Sequence, residues 1–98
     1  MRYTVTYSRA AFEQDRPRLN AAVSERLSRA IQEKLLLKPE YFSKPLQNTL
    51  KGHRSLRVGA YRIIFTINGS TINIWVIGHR SKVYQEAVKR LIKKATQQ

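Results

Sequence analysis

No cysteine occurs in this chain of 98 residues. Disulfides, thiolate zinc sites and a thiol nucleophile are thereby excluded, and the fold must rest on packing alone. Acidic side chains are scarce too: six Asp and Glu stand against nineteen Lys and Arg, a formal charge of +13. All six, Glu13, Asp15, Glu25, Glu33, Glu40 and Glu86, flank the stretch Tyr41 to Gln85, which contains none. With no carboxylate there, and only His53 and His79 as imidazoles, that stretch is poorly equipped for a divalent-metal nuclease site. No metal or other cofactor is expected. Long apolar runs are missing as well, so neither a signal peptide nor a membrane span is expected, and a cytoplasmic protein is the default. The length suits one domain, 1–98, with one modest core.

Positive charge fills the acid-free stretch: Lys44, Lys51, Arg54, Arg57, Arg62, Arg80 and Lys82 stand there unopposed. Such a surface attracts polyanions. Solubility alone is better served by mixed or acidic charge, so the pattern points to an anionic partner, RNA foremost.

Residues Arg2 to Tyr7 alternate, with Tyr3, Val5 and Tyr7 on one face, and predict a first strand. Ser8 can cap a short helix from about Arg9 to Arg16, which Pro17 interrupts. Asn20 can cap a second helix carrying Val23, Leu27, Ala30, Ile31 and Leu35 at helical spacing. The pair should cover one sheet face. Lys38 and Pro39 end the second helix, and a connector without strong periodicity runs to about Lys51. A C-terminal helix places Val83, Ala87, Val88, Leu91, Ile92 and Ala95 on one stripe, with Lys89, Arg90, Lys93 and Lys94 largely off it. The fold class is α+β, a mainly antiparallel four-stranded sheet in the order β-α-α-β-β-β-α.

Two tight turns set the strand registers. Gly59-Ala60 suits a two-residue hairpin with Gly first, and Asn68-Gly69 is the preferred pair for a turn with positive φ at both positions. The first turn pairs Val58 with Tyr61, Arg57 with Arg62, Leu56 with Ile63 and Ser55 with Ile64. The second pairs Phe65 with Ile72, Ile63 with Ile74 and Arg62 with Trp75. One face then collects Leu56, Val58, Tyr61, Ile63, Phe65, Ile72, Ile74 and Val76, and the other His53, Ser55, Arg57, Arg62 and Trp75. Like charges set opposite one another are costly, so Arg57 beside Arg62 makes most sense with an anion between them, unless both splay into water. Arg80, just past the last strand, is expected at the same end of the sheet.

These arginines, with His53 and His79 and the rings of Trp75 and Tyr84, form an RNA-binding inventory: arginine takes phosphate and an aromatic ring stacks a base. Packing is an alternative for both rings. Lys51, Arg54 and Lys82 extend the basic surface. Metal-free cleavage would use the adjacent 2′-hydroxyl as nucleophile, with Arg57 and Arg62 suited to the charge of the transition state and Arg80 adding to it. His53 has the right intrinsic pKa for the base, and His79 is the other candidate.

The stretch LRVGAYRIIF (Leu56 to Phe65), followed by IGHRSKVY (Ile77 to Tyr84), closely resembles the RelE/ParE toxin superfamily, and the likeness runs over nearly the whole chain, including the connector KPEYFSKPLQNTLKG. The resemblance implies the RelE-like fold and a type II toxin, bacterial or archaeal, silenced by a cognate antitoxin. In the RelE branch such a toxin enters the ribosomal A site, cuts the bound mRNA and so inhibits translation and arrests growth. It further implies phosphate contact and transition-state stabilisation for Arg62 and Arg80, and nucleotide positioning for Tyr84. RelE proteins carry two lysines where His53 and Ser55 stand here. In the ParE branch, which shares the fold, the target is DNA gyrase; a basic RNA-binding module without catalysis is the third reading.

Overall fold

The computed structural model describes residues 2–96; Met1, Gln97 and Gln98, the ends of the expected domain, lie outside the described residues. Strand β1 (Thr4–Tyr7) leads into a wide helical turn, Ala11–Asp15, and a 3₁₀ turn, Arg16–Arg18. Ser8 starts this segment as expected, its Oγ accepting from the Ala11 N–H at 3.2 Å. Asn20 caps α1 (Ala21–Ala30) by accepting from the Val23 N–H at 2.9 Å, and a second wide turn, Ile31–Leu35, prolongs that helix. The connector holds α2 (Pro39–Phe42), β2 (Lys44–Pro45) and a 3₁₀ turn, Asn48–Leu50; β3 (Arg54–Val58), β4 (Tyr61–Asn68), β5 (Thr71–His79) and α3 (Val83–Thr96) follow. No helix among the described residues is long and apolar enough to cross a membrane.

The sheet order is β1-β5-β4-β3-β2, with β1 parallel to β5 and the other pairs antiparallel. The sheet therefore has five strands rather than the expected four. The added one, β2, is a two-residue strand inside the connector, too short to leave a period in the sequence.

The β3–β4 register is the expected one in all four pairs named, and Gly59 takes φ +60° at the first loop position. The β4–β5 register differs twice from expectation. First, the loop is Gly69-Ser70, because Asn68 pairs with Thr71 and Gly69, not Asn68, has positive φ. Gly first and a small polar residue second is also a good hairpin loop, and it outcompetes Asn-Gly here. The resulting slide is by two residues, which leaves each side chain on its face. Second, Phe65 pairs with Ile74 while Ile64 pairs with Val76, so Trp75 is the extra residue of a β-bulge. The expected pairs Phe65–Ile72, Ile63–Ile74 and Arg62–Trp75 do not form; Arg62 lies opposite Gly78.

The bulge reverses the alternation after it, so Val76, expected among the residues facing the helix pair, turns to the opposite face and Ile77 replaces it. One core joins Leu27, Ile31 and Leu35 to Leu56, Ile63, Phe65, Ile72, Ile74 and Ile77. A second joins Ile64 and Val76 to Leu50, Val83 and Ala87, with Trp75 and Leu91 at its margin. Helix α3 thus covers part of the face that the sequence left open.

Beyond Tyr7, where β1 ends, side chains satisfy the free backbone edge of β5. The Ile77 N–H donates to Asp15 Oδ2 at 2.9 Å, while Ser8 Oγ and Arg90 Nη1 donate to the Trp75 carbonyl at 3.1 and 3.0 Å. Arg90 also donates to both Asp15 oxygens, at 2.7 and 2.8 Å. Those hydrogen bonds raise the Arg90 pKa further above its already high value, fixing the guanidinium as a cation. Arg90, expected on the polar side of its helix, is in fact a buried clamp with a side chain 12% exposed.

Candidate nucleic-acid interface

Two cross-strand rows build the site on the face shared with α3. One runs Lys44–Ser55–Ile64–Val76, the next Arg57–Arg62–Gly78. Ser55, Lys44, Arg57 and Arg62 border a cleft of about 380 Å³ that Phe42 and Tyr84 also line. Tyr84 projects from the first turn of α3, and its Oη lies 3.2 Å from the buried Ser55 Oγ. That contact fixes the phenol tip while leaving the residue 37% exposed. Arg62 Nη1 donates to the Gly59 and Tyr61 carbonyls, both at 2.9 Å, which ties the guanidinium to the hairpin and leaves its other N–H groups for an anion. Arg57 is exposed directly across from it. Among the described residues no carboxylate borders the cleft, which leaves its charge uncompensated there.

Of the residues singled out by sequence, the cleft brings together Arg57, Arg62 and Tyr84. Phe42 and Lys44 line it as well; Lys44 belongs to the acid-free run, but only its pairing in β2 reveals its place. Arg80 is exposed beside the Gly59-Ala60 hairpin, its N–H donating to the Ala60 carbonyl at 2.8 Å, and does not line the cleft. Lys51 is exposed in the turn before β3. Arg54 is committed elsewhere: its Nε donates to Ser43 Oγ at 2.7 Å and its Nη2 to the Glu40 and Ser43 carbonyls at 3.1 Å. His79 packs against Tyr61 and sits with its Nδ1 2.8 Å from Ser81 Oγ; together with Lys82 it borders a separate cleft that also contains Asp15 and Glu86. Trp75 lies at the margin of the second core, its Nε1 donating to Thr66 Oγ1 at 3.2 Å and Lys94 Nζ standing 4.3 Å from its ring centre. Among the described residues no three His, Cys, Asp or Glu side chains gather closely enough to hold a metal ion.

His53 does not border the Arg57–Arg62 cleft. Its ring packs edge-on against Trp75, 5.6 Å between centroids, and its buried Nδ1 makes no hydrogen bond among the described residues. Burial lowers its pKa below 6.5 and the charge of Lys94 adds to this, while the nearby Leu50 and Lys51 backbone offsets part of it. The fold therefore favours neutral imidazole. The associated stability is fully present above the unfolded value of about 6.5 and declines as pH falls below it, where the unfolded chain binds the proton first. Thermal melts between pH 7.5 and 5 should show this loss, and His53→Gln should flatten it.

An α+β protein with an uncompensated cationic cleft on its sheet carries a surface whose charge suits an anion. The comparisons are more specific. Residues 4–84 match the ParE toxin of the type II toxin-antitoxin system, parDE, and the chain belongs to this RelE/ParE toxin family. It is similar to the Mycobacterium tuberculosis RelBE2 toxin-antitoxin complex, with a TM-score of 0.76 and 28% identity over 82% of this chain and 100% of that one. It is also similar to a mutant of the Escherichia coli toxin RelE in the free state, with a TM-score of 0.66 and 26% identity over 92% of this chain and 98% of that one. The RelB-RelE complex of Methanococcus jannaschii shares the fold, with a TM-score of 0.62 and 22% identity over 82% and 95% of the two chains. No curated protein matches.

Proposed function

We propose that this toxin is a metal-independent endoribonuclease that cuts mRNA in the A site of translating ribosomes. The observation that carries the reading is the acid-free cleft in which Arg57 and Arg62 face each other beside Tyr84. A phosphodiester seated between the two guanidiniums meets preorganised positive charge where the phosphorane will need it. The 2′-oxygen attacks phosphorus, its proton passes to water, the bond from phosphorus to the 5′-oxygen breaks as that oxygen takes up a proton in turn, and a 2′,3′-cyclic phosphate and a 5′-hydroxyl result. The exposed Tyr84 ring, steadied by Ser55, supplies a surface for a neighbouring base. Arg80, outside the cleft, would contact the flanking RNA backbone. In this reading the protein acts in the cytoplasm with a cognate antitoxin, as in the RelBE2 complex; an acidic segment folding over the cleft is the form of inhibition that its charge suits.

The family description, ParE toxin, favours gyrase as the second reading. Inducing the protein in a bacterial host, mapping mRNA 5′ ends and measuring plasmid supercoiling separates the two. Translation-dependent cuts inside codons are expected; intact mRNA with altered supercoiling would overturn the nuclease reading and favour gyrase.

A further inference from the structure

Resting on the nuclease reading, we infer that Lys44 is a catalytic residue of the cleft, the acid that protonates the departing 5′-oxygen. Lys44 is the cross-strand partner of Ser55, so the two side chains leave the sheet on the same face, with Cβ atoms about 5 Å apart. Ser55 in turn lies 3.2 Å from Tyr84 Oη and two residues before Arg57, about 7 Å along β3. Lys44 thus stands one row from the arginine pair, on the rim formed by the short edge strand. Pro45 restricts the residue before it to extended backbone, which sets the direction in which Lys44 leaves the strand. Its side chain is exposed, and none of the ion pairs among the described residues engages it.

The proton inventory of the cleft singles this residue out. Arginine does not release its proton under any physiological condition, and the Ser55 hydroxyl is too weak an acid. The Tyr84 phenol is neutral, and its oxygen is already tied to Ser55 at 3.2 Å. Among the described residues no imidazole or carboxylate borders the cleft, and His53 packs against Trp75. Among the described residues that line the cleft, Lys44 alone is both a cation and able to give up a proton. As the bond from phosphorus to the 5′-oxygen breaks, the electron pair moves onto that oxygen and Lys44 Nζ delivers a proton to it; the amine then regains a proton from the water that took the one from the 2′-hydroxyl. Charge and protons balance over the cycle without a further reactant.

A leaving group that needs no proton isolates this role. Ribosome-bound mRNA would be prepared with either an ordinary linkage or a 5′-bridging phosphorothiolate at the cleaved position, and single-turnover cleavage measured for the wild type, Lys44→Ala and Lys44→Arg. Both variants should cut the ordinary linkage about 100-fold or more slowly, the usual size of a lost general acid, and cut the sulfur linkage at nearly the wild-type rate. Equal slowing on both linkages would reduce Lys44 to a phosphate contact, and no slowing would remove it from the site; either outcome overturns the inference while leaving the nuclease reading standing. A wild-type protein that cuts neither linkage overturns both. Thermal melts should coincide for the three proteins, because Lys44 is exposed at a sheet edge.

Discussion

Asp15→Ala is expected to destabilise the protein by about 3–5 kcal/mol, the usual cost of removing one partner from a buried ion pair. The substitution strands the Arg90 guanidinium, whose side chain is 12% exposed, and takes the acceptor from the Ile77 N–H at the same time. For a domain of this size the total stability is only about 5–15 kcal/mol, so the melting temperature should fall by more than about 10 °C. Urea or thermal denaturation followed by circular dichroism reads this directly. The double variant Asp15→Leu with Arg90→Met should lose less than Asp15→Ala, because an apolar pair leaves no uncompensated charge behind. A single variant as stable as the wild type would show that the clamp between the first helical turn, β5 and α3 is incidental.

Arg62→Ala carries the largest expected effect on activity. Removing one preorganised cation from a developing phosphorane should lower cleavage about 10²- to 10³-fold, and induction of the variant should no longer arrest growth. The fold should survive, because among the described residues the Arg62 side chain donates to the Gly59 and Tyr61 carbonyls of its own hairpin. Matched expression levels and nearly equal melting temperatures are therefore part of the expected result. Undiminished toxicity in a well-folded Arg62→Ala protein would remove the arginine pair from the mechanism.

Local signals carried much of the fold in the sequence. Asn20 and Ser8 announce helix starts because capping is settled within three residues, and Gly59-Ala60 fixes the β3–β4 register because a two-residue loop allows one pairing. The juxtaposition of Arg57 and Arg62 follows from that loop alone. The bulge was not legible. Ile72 to Ile77 is apolar at every position but Asn73, so no alternation marks the point at which it reverses, and the extra residue is set by packing from both faces. Arg90 looked like one more cation on a basic helix; its burial depends on Asp15, 75 positions earlier in the chain. His53 shares the face of Ser55 and Arg57 by alternation, yet its ring packs edge-on against Trp75 and does not border the arginine cleft. Lys44 failed to stand out for the opposite reason, since a two-residue strand leaves almost no trace.

The bulge has a further use. Trp75 is the only tryptophan in the chain, and the bulge sets it between β4 and α3, with Thr66 on its indole N–H, Lys94 over its ring and His53 at its edge. The protein therefore carries a built-in fluorophore whose emission reports one event, the seating of the terminal helix on the sheet. A partner that lifts α3 would expose the indole and move its emission to the red, whereas one that fills the arginine cleft with the helix in place would leave the colour nearly unchanged. Unlabelled protein can thus distinguish the two modes of engagement in a simple titration.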